Sequence, residues 1–357
     1  MGFLLSYNKK IISENNKIVK NIWNINIKKY KKNKKNLKIL KKTENKDKIK
    51  NVKKLIKKIK EDVKETKIFS NKILNKIQKK IYNIVGGSAD LENSTKFKID
   101  KNIKNNIKFG VREISMSAIT AGMSLMNLFT FNSTFLAFSD YLKPILRTSS
   151  MMKLTNLSIF THDSFSIGED GATHQPIEQL NCLRLIPNIM VFRPFNNFEI
   201  KKTWELITKI KNNTIIFVLP RNDLKKLKKI KKKNIEKGCY LINKKKNQSI
   251  VLMCGEELNN LLVDMKKNIF KKINLYSMFC LEIFNKQQNK YKLKIIKKKK
   301  IIIIEKSNLN KIYIFTKNII KEINGFGESE RKKDIEIKNN FNNKNIIKFI
   351  KYNIKKK

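Results

Sequence analysis

The residues best suited to chemistry lie in one polar stretch, Thr161–Pro176, which holds both histidines of the chain, His162 and His174, with three carboxylates and two glycines. Imidazole changes protonation near neutral pH, and carboxylates beside it can exchange protons with hydroxyls and carbonyls. The stretch therefore predicts a site for a hydroxylated or carbonyl-bearing ligand. One alternative is a metal site, although the separation of the histidines matches no common zinc spacing. Another is a pair of structural core histidines, which so polar a stretch disfavours.

The elements around this stretch predict where it lies in the fold. Short β-rich runs alternate with amphipathic segments, a pattern typical of a doubly wound, mostly parallel α/β sheet. In such sheets ligands bind outside the carboxyl ends of the strands. The predicted strands here are Thr130–Thr134, Leu157–Thr161, Asn188–Phe192 and Thr214–Leu219, and the predicted helices are Arg112–Leu128, Ala137–Met152, Pro176–Leu185 and Phe198–Ile210. The polar stretch follows a predicted strand and ends at a predicted helix, so it is expected at the ligand edge.

Three regions are predicted along the chain. Residues 1–65 are rich in Lys and Asn and predict a solvated helical linker. Residues 66–235 predict the doubly wound domain, and a Lys-rich stretch, Lys225–Lys237, marks its end. Residues 236–357 predict a smaller α/β domain, with strands at Ser249–Met253, Ile273–Tyr276 and Ile301–Glu305.

The net charge of +51 would usually indicate a nucleic-acid partner. Only six of the 80 basic residues are Arg, however, and the Lys residues come with an excess of Asn and Ile. A genome biased toward A/T-rich codons explains all three enrichments, whereas nucleic-acid binding explains only one. All five prolines and five of the six arginines lie between residues 112 and 221. The functional residues are therefore expected between about residues 86 and 221, and no specific nucleic-acid partner is expected.

The four cysteines show no paired CxxC spacing and no nearby histidine at metal-ligand spacing. They are expected to be buried, reduced thiols of a cytoplasmic protein. No apolar run is long enough to span a membrane, so no membrane partner is expected.

Seven segments of the chain resemble transketolase motifs, in the order in which that family has them. They are Gly86–Leu91 (GGSADL), Phe109–Glu113 (FGVRE), Phe135–Tyr141 (FLAFSDY), Thr161–Pro176 (THDSFSIGEDGATHQP), Arg193–Pro194, Leu219–Asn222 (LPRN) and Phe326–Ser329 (FGES). The resemblance covers roughly Lys67 to the C-terminus. It implies the pyrimidine-binding domain of a thiamine diphosphate enzyme, followed by a transketolase-like C-terminal domain.

The resemblance also implies an activity, the transfer of a two-carbon ketol unit between sugar phosphates in the non-oxidative pentose phosphate pathway. Glu113 occupies the position of the carboxyl that hydrogen-bonds the aminopyrimidine ring of thiamine diphosphate. Alone, its position predicts only a carboxylate favoured by a helix N-terminus. His174 matches a histidine near the reacting carbon. Both are expected to be catalytic.

Further residues match binding positions of the family. Phe135, Phe138 and Tyr141 match the aromatic wall around the aminopyrimidine, although their spacing alone indicates only the core face of a helix. Asp90 is a further cofactor-binding candidate. The substrate-binding candidates are Ser94, His162, Asp170, Arg221 and Lys67. Lys67 stands where the family has an Arg, so the charge is kept but the bidentate fork is lost. Arg221 has a surface ion pair as its alternative role.

The sequence contains no Gly-Asp-Gly, which the family uses in binding Mg²⁺ and the cofactor diphosphate. The resemblance then implies that Mg²⁺ is held mainly by a separate N-terminal transketolase subunit. Self-association through both domains would complete a heterotetramer. The alternatives are half of another thiamine diphosphate enzyme (a dihydroxyacetone synthase, a deoxyxylulose-phosphate synthase or a 2-oxo-acid dehydrogenase β subunit), a basic nucleic-acid-binding protein and a decayed remnant.

Overall fold

A computed structural model describes most of the chain. The described residues are 2–34, 37, 48–61, 63–81, 83–99, 105–225, 227, 234–244, 249–263, 271–296, 300–309 and 318–355. They divide into two compact units, residues 1–48 and 49–357. Most of the Lys225–Lys237 stretch that was predicted as a boundary lies outside the described residues. No described helix is both long enough and apolar enough to cross a membrane.

The first unit contains one long helix, α1 (Gly2–Lys32). Ile18, Ile22 and Ile25 recur at helical spacing and all three are exposed. Lysines fill the last turn of the helix, where they complement its dipole.

The second unit begins with α2 (Lys48–Lys58) and α3 (Thr66–Gln78). Its further elements, in chain order, are β1 (Ile84–Ser88), α4 (Glu92–Thr95), β2 (Asn106–Lys108), α5 (Glu113–Leu125), β3 (Phe129–Phe135), α6 (Ser139–Met151), β4 (Leu157–Thr161), α7 (Gln179–Leu185), β5 (Ile189–Phe192), α8 (Asn197–Ile207), β6 (Thr214–Val218), β7 (Tyr240–Asn243), β8 (Ile250–Met253), α9 (Gly255–Val263), β9 (Asn274–Ser277), α10 (Leu281–Asn285), α11 (Asn289–Ile296), β10 (Ile301–Ile304), β11 (Asn318–Lys321), α12 (Lys332–Lys338) and α13 (Asn343–Lys355).

The first sheet has the strand order β2-β1-β3-β4-β6-β5. All of its neighbouring strands pair in parallel. Strands β4, β5 and β6 are buried along their whole length, as expected for a parallel sheet covered on both faces. The carboxyl ends of six strands therefore meet at one edge. The fold class predicted from the sequence is confirmed.

The second sheet has the order β11-β10-β8-β9-β7 and is smaller. Four of its strands are parallel, while β7 pairs antiparallel with β9 at the edge. The predicted strands Ser249–Met253, Ile273–Tyr276 and Ile301–Glu305 correspond to β8, β9 and β10. The edge strands β7 and β11 were not predicted.

Part of the segment expected as a solvated linker is buried. Val52, Ile56 and Ile59 lie on one face of α2 or directly after it, and they belong to the main hydrophobic core with Phe69 and Ile73 of α3. Lysines occupy the opposite face of α2. Despite the high charge of this segment, α2 is amphipathic, and burial of its apolar side stabilises the unit.

Candidate functional site

Most of the candidate residues lie at the carboxyl-end edge of the first sheet. Asp90 follows β1, Phe135 ends β3, His162 follows β4 directly, and Arg221 follows β6. Glu113 begins α5, the helix after β2. The structure thus brings together side chains that are far apart in the sequence, because parallel strands all end at the same edge.

Glu113 is a buried carboxylate, 9% exposed, in the first turn of α5. Thr134 Oγ1, on β3, donates a hydrogen bond to Glu113 Oε1 at 3.4 Å. No other hydrogen bond to this carboxylate occurs in the described part of the chain. A buried carboxylate with one long hydrogen bond retains the capacity to accept a hydrogen bond from a ligand.

Three aromatic rings form a row that starts at the carboxyl end of β3, the strand that holds Thr134. The rings of Phe135 and Phe138 are stacked with centroids 5.6 Å apart, and the Tyr141 ring lies 6.1 Å from that of Phe138. Phe135 ends a strand, Phe138 precedes α6, and Tyr141 lies in the first turn of α6 and is 56% exposed. The helical core face that their spacing alone indicated is therefore wrong. The rings line the sheet edge instead.

The two histidines flank the same rings. The His162 ring lies 3.8 Å from that of Phe135, and the His174 ring lies edge-on to Phe138 at 5.2 Å. Each imidazole Nδ1 is 2.9 Å from the hydroxyl of the preceding threonine, Thr161 or Thr173. These hydroxyls orient the rings through Nδ1, and within the described part of the chain both Nε2 atoms are left to bond a ligand.

His162 is strained and electrostatically constrained. Its φ is +60°, a left-handed conformation that costs free energy and is often found at functional sites. Burial lowers the pKa of His162 to about 3, and the positive charges of Lys67, Arg221 and His174 act in the same direction. The imidazole is therefore neutral at pH 7, and it lies within the influence of the charges of Lys67 and Arg221.

A cationic cluster surrounds that ring. Lys67 Nζ donates to the backbone oxygen of Ser94 at 3.1 Å and lies 3.4 Å from Glu65. Burial lowers the pKa of Lys67, with a further contribution from Arg221, while Glu65 opposes the change. Lys67 and Arg221 supply the charge of this group, and with the neutral His162 they form what we call the cationic cluster of the site. Such a grouping favours an anion.

Arg221 pairs with the polar loop. Its Nη1 donates to Asp170 Oδ2 at 2.6 Å and to the backbone oxygen of Ile167 at 2.7 Å. Both charged side chains are more than a third exposed. The ion pair that was the alternative role of Arg221 is present, and it lies at the site itself, so that role does not exclude a ligand. Asp90, in a left-handed conformation like His162, is exposed next to β1.

The loop is anchored by a buried charge network whose role the sequence did not reveal. The Arg193 guanidinium, wholly buried, lies 2.8 Å from Asp163, 2.5 Å from Glu257 and 3.1 Å from Glu305. Burial raises the pKa of Glu305, but Arg184 and Arg193 outweigh this effect and lower it to about 2. The Arg193–Pro194 motif identified the residue. Its partners are remote in sequence, at 30 to 112 positions away, so no local pattern could have found them.

The side chains at this edge suit a flat ring of an organic cofactor better than a metal-bound diphosphate. A buried carboxylate and a row of aromatic rings at one sheet edge fit a flat, nitrogen-containing ring, which can both stack and donate a hydrogen bond. Among the described residues, no group of three or more His, Cys, Asp or Glu side chains could hold a metal ion. The donor set therefore fits the pyrimidine end of thiamine diphosphate, whereas no matching metal-diphosphate anchor occurs in the described part.

Comparison with known proteins gives consistent matches. Residues 64–226 match the transketolase pyrimidine-binding domain, and residues 238–342 match the transketolase-like C-terminal domain. The transketolase of Aquifex aeolicus is 32% identical over 311 residues, which cover 82% of this chain and 45% of that protein. The chain thus spans about half the length of the curated relatives it matches.

Solved structures show the same fold. A mutant Pichia stipitis transketolase in complex with fructose 6-phosphate matches 96% of this chain and 54% of its own, with 25% identity and a TM-score of 0.82. A split-gene transketolase, described as an inactive β4 tetramer, matches 81% of this chain and 98% of its own. Its TM-score is 0.67, and at 19% identity it shows the fold alone.

The two sheets, the ligand edge and the matched domains together define a pair of α/β domains of the thiamine diphosphate enzyme class. More particularly, the chain belongs to the transketolase family. It corresponds to the pyrimidine-binding and C-terminal domains of those enzymes.

Proposed function

We propose that this chain supplies the pyrimidine side of a transketolase active site, in which a two-carbon ketol unit passes between sugar phosphates in the non-oxidative pentose phosphate pathway. The observation that carries the proposal is the convergence of Glu113, the row of rings and the cationic cluster at one sheet edge. Thiamine diphosphate, when bound, would supply the cleavage and formation of the carbon–carbon bond next to a carbonyl.

Glu113 would hold the aminopyrimidine. Its carboxylate would accept a hydrogen bond from the ring nitrogen, and the helix N-terminus favours its negative charge. Phe135, Phe138 and Tyr141 would stack against the same ring, and Asp90 would contact the cofactor from the end of β1. A carboxylate buried before the cofactor arrives needs little reorganisation, which suits a catalytic role.

His174 and Asp170 would act on the sugar. His174 is half-buried and its Nδ1 is already engaged by Thr173, so Nε2 can donate or accept a proton at a substrate oxygen. Asp170 would accept a hydrogen bond from a sugar hydroxyl. Because Arg221 holds its Oδ2, that hydroxyl would use the other oxygen or replace this bond.

The cationic cluster would bind the phosphate of the sugar. Lys67 and Arg221 offer charged donors, and neutral His162 offers an N–H without a further charge. Ser94 lies against Lys67 and would add its hydroxyl. Lys67 and Arg221 repel each other, and a bound dianion would offset that repulsion.

The diphosphate and Mg²⁺ would be held by a separate N-terminal transketolase subunit. Two facts support this proposal: the described residues hold no acidic metal cluster, and the chain matches nearly the full length of a split-gene transketolase chain. Within this chain, we propose residues 66–235 as the pyrimidine-binding domain and residues 236–357 as the C-terminal domain, preceded by a linker. The free thiols of all four cysteines suit the reducing conditions of the cytoplasm.

Self-association would use the outer face of α5. Val111, Ile114, Ile119, Leu125 and Met126 are all about half exposed or more, and they lie on or beside this helix. An exposed apolar face of this kind marks an interaction surface. A second copy of the chain is the proposed occupant, consistent with the tetramer named for the split-gene neighbour.

Reconstitution tests the proposed function. The purified chain is mixed with a diphosphate-binding transketolase subunit, thiamine diphosphate, Mg²⁺, xylulose 5-phosphate and ribose 5-phosphate, and the seven-carbon ketose phosphate is measured. Turnover is expected from the mixture and from neither chain alone. Turnover by this chain alone would disprove the need for a partner, and no turnover from a well-formed complex would disprove the ketol-transfer function.

A further inference from the structure

The side-chain amide of Gln175 connects the polar loop to a distant segment of the chain. Its Nε2 donates to the backbone oxygen of Gly168 at 2.7 Å and to that of Glu328 at 2.8 Å. Its Oε1 accepts from the backbone N–H of Glu328 at 2.9 Å. Gln175 is 3% exposed, and these bonds use both amide hydrogens and the amide oxygen. The amide thus pairs with the backbone N–H and C=O of one residue of the C-terminal domain, as a neighbouring strand would.

Gly327 is what allows this close approach. A Cβ at this position would lie 1.8 Å from Gln175 Oε1 and 2.6 Å from Gln175 Cδ. Both distances are far below van der Waals contact, so any larger residue would push the amide and the segment apart. Segment Phe326–Ser329 was one of the motifs found in the sequence, and the proposed chemistry uses none of its side chains.

Two further contacts join the loop to the same domain. Ser329 Oγ donates to the backbone oxygen of Glu169 at 2.8 Å. Lys306 Nζ, which is buried, lies 2.7 Å from Ser166 Oγ and 2.6 Å from Glu336. The loop between Ser166 and Gln175 is therefore attached to the C-terminal domain at its start, in its middle and at its end.

We propose that the C-terminal domain fixes the substrate loop, and that Gln175 is the positioning residue through which it does so. For the roles of Asp170 and His174, this proposal rests on the proposed function. Both residues lie between Gly168 and Gln175, which the Gln175 side chain joins. Surface loops open locally at low free-energy cost unless their backbone is held. By bonding Gly168 and Glu328 together, the Gln175 amide removes that freedom from the residues that meet the sugar.

Amide hydrogen exchange on the full chain, without cofactor or substrate, tests the attachment independently of the activity. In Gln175→Ala and in Gly327→Ala, exchange of residues 166–174 is expected to accelerate by about tenfold or more. Exchange in β4 and β8 should stay unchanged. Gln287→Ala is the matched control, because among the described residues the Gln287 amide bonds the local oxygen of Ile283 alone, in the same domain.

Ser329→Ala provides a milder change if the larger ones prevent folding. It removes one hydrogen bond to Glu169 and should accelerate exchange of residues 168–171 by about threefold. Unchanged loop exchange in the folded variants would overturn the proposal. Acceleration spread over the whole chain would also overturn it, since it would show general destabilisation and not attachment of a loop.

The reconstituted enzyme supplies a second readout. In Gln175→Ala the KM for the phosphorylated acceptor is expected to rise by about tenfold, while the KM for thiamine diphosphate stays constant. A general folding defect would lower kcat alone or change both KM values. If the wild-type mixture is inactive, the proposed function fails and the exchange experiment still decides the role of Gln175.

Discussion

The neutral state of His162 is the residue-scale feature that most constrains the site. A cationic imidazole would add a charge near those of Lys67 and Arg221, on a side chain that is only 4% exposed. Burial is the largest cause of the lowered pKa, and the cations lower it further. At pH 7 the ring therefore acts as a neutral hydrogen-bonding group. The charge of a bound ligand should shift the pKa of His162.

His162 titration can be measured by NMR of the imidazole nitrogens. The free chain is expected to keep this ring neutral down to about pH 4, since its pKa lies near 3. Adding inorganic phosphate should raise that pKa, because the phosphate anion, singly charged at this pH, partly offsets the charges of Lys67 and Arg221. His174→Gln identifies which signal belongs to His162. Titration of His162 near its ordinary value of about 6.5 would contradict the electrostatics described here.

The ionisation of Glu256 and Glu305 makes the free energy of unfolding depend on pH. Burial raises the pKa of each, but lysines around Glu256 and arginines around Glu305 outweigh burial and lower both values to about 2. Since the folded pKa values lie below the unfolded ones, the stabilisation is complete above about pH 4.5 and is lost as the pH falls toward 2. Urea unfolding between pH 7 and 3 should show this loss. A free energy of unfolding that does not fall below pH 4.5 would contradict it.

At the scale of elements, Arg193 joins the end of β5 to the loop after β4 and to the second sheet. Arg193→Met removes the only guanidinium within bonding distance of Asp163 and Glu257 in the described structure. Two buried carboxylates would then lose their counter-charge, at a cost of about 3–5 kcal/mol in the free energy of unfolding. Urea denaturation measures it.

The control for that prediction is Arg331→Met. Arg331 also pairs with a carboxylate, Asp334, but its side chain is 79% exposed. A surface pair of this kind contributes at most about 1 kcal/mol. Equal losses in the two variants would show that the buried network does not stabilise the fold.

The sequence predicted the elements of the first sheet well where apolar periodicity was strong. Strand β4 has the predicted bounds, and α5, α6 and α8 differ from prediction by a few residues. The missed strand β1 contains Gly86 and Gly87, which sheet propensity disfavours. A Cβ at either position would lie within 2 Å of a neighbouring strand's carbonyl oxygen, so tertiary contact explains glycines that local preference could not.

Helix α7 shows the same limit at its start. Pro176 predicted the beginning of a helix, yet α7 begins at Gln179. The Ile177 N–H bonds the Gln179 side chain at 3.0 Å, and its oxygen accepts from Asn308 at 2.9 Å. These bonds engage the Ile177 backbone before the helix begins. The bond from Asn308 comes from a residue remote in sequence, like the partners of Arg193 and Gln175, and no local pattern could have predicted it.

At the scale of the whole molecule, the outer face of α5 is the surface most suited to a second copy. Ile114→Lys places a charge in this apolar face and should convert a self-associated chain to monomers. Ile337→Lys is the matched control, since Ile337 is exposed to a similar degree, 58% against 55%, on α12. Sedimentation equilibrium measures the change. Equal association in both variants would place the interface elsewhere.

The net charge of +51 is carried by a chain that belongs to the transketolase family. Lysines crowd the solvated faces of helices such as α2, while the arginines Arg184 and Arg193 are buried in ion pairs. This division agrees with codon bias acting on exposed positions. Binding to duplex DNA is expected to be weak and to vanish near physiological salt, which a titration of affinity against ionic strength would check.

The central claim is that Glu113 activates thiamine diphosphate within a shared active site, and the initial rate of ketol transfer in the reconstituted enzyme tests it most directly. Glu113→Gln keeps the shape of the side chain and is predicted to lower kcat by about 100-fold or more, because the carboxylate charge is lost. Glu205→Gln, on α8 away from the sheet edge and also buried, should keep the wild-type rate. A Glu113→Gln enzyme as fast as the Glu205→Gln enzyme would contradict the account.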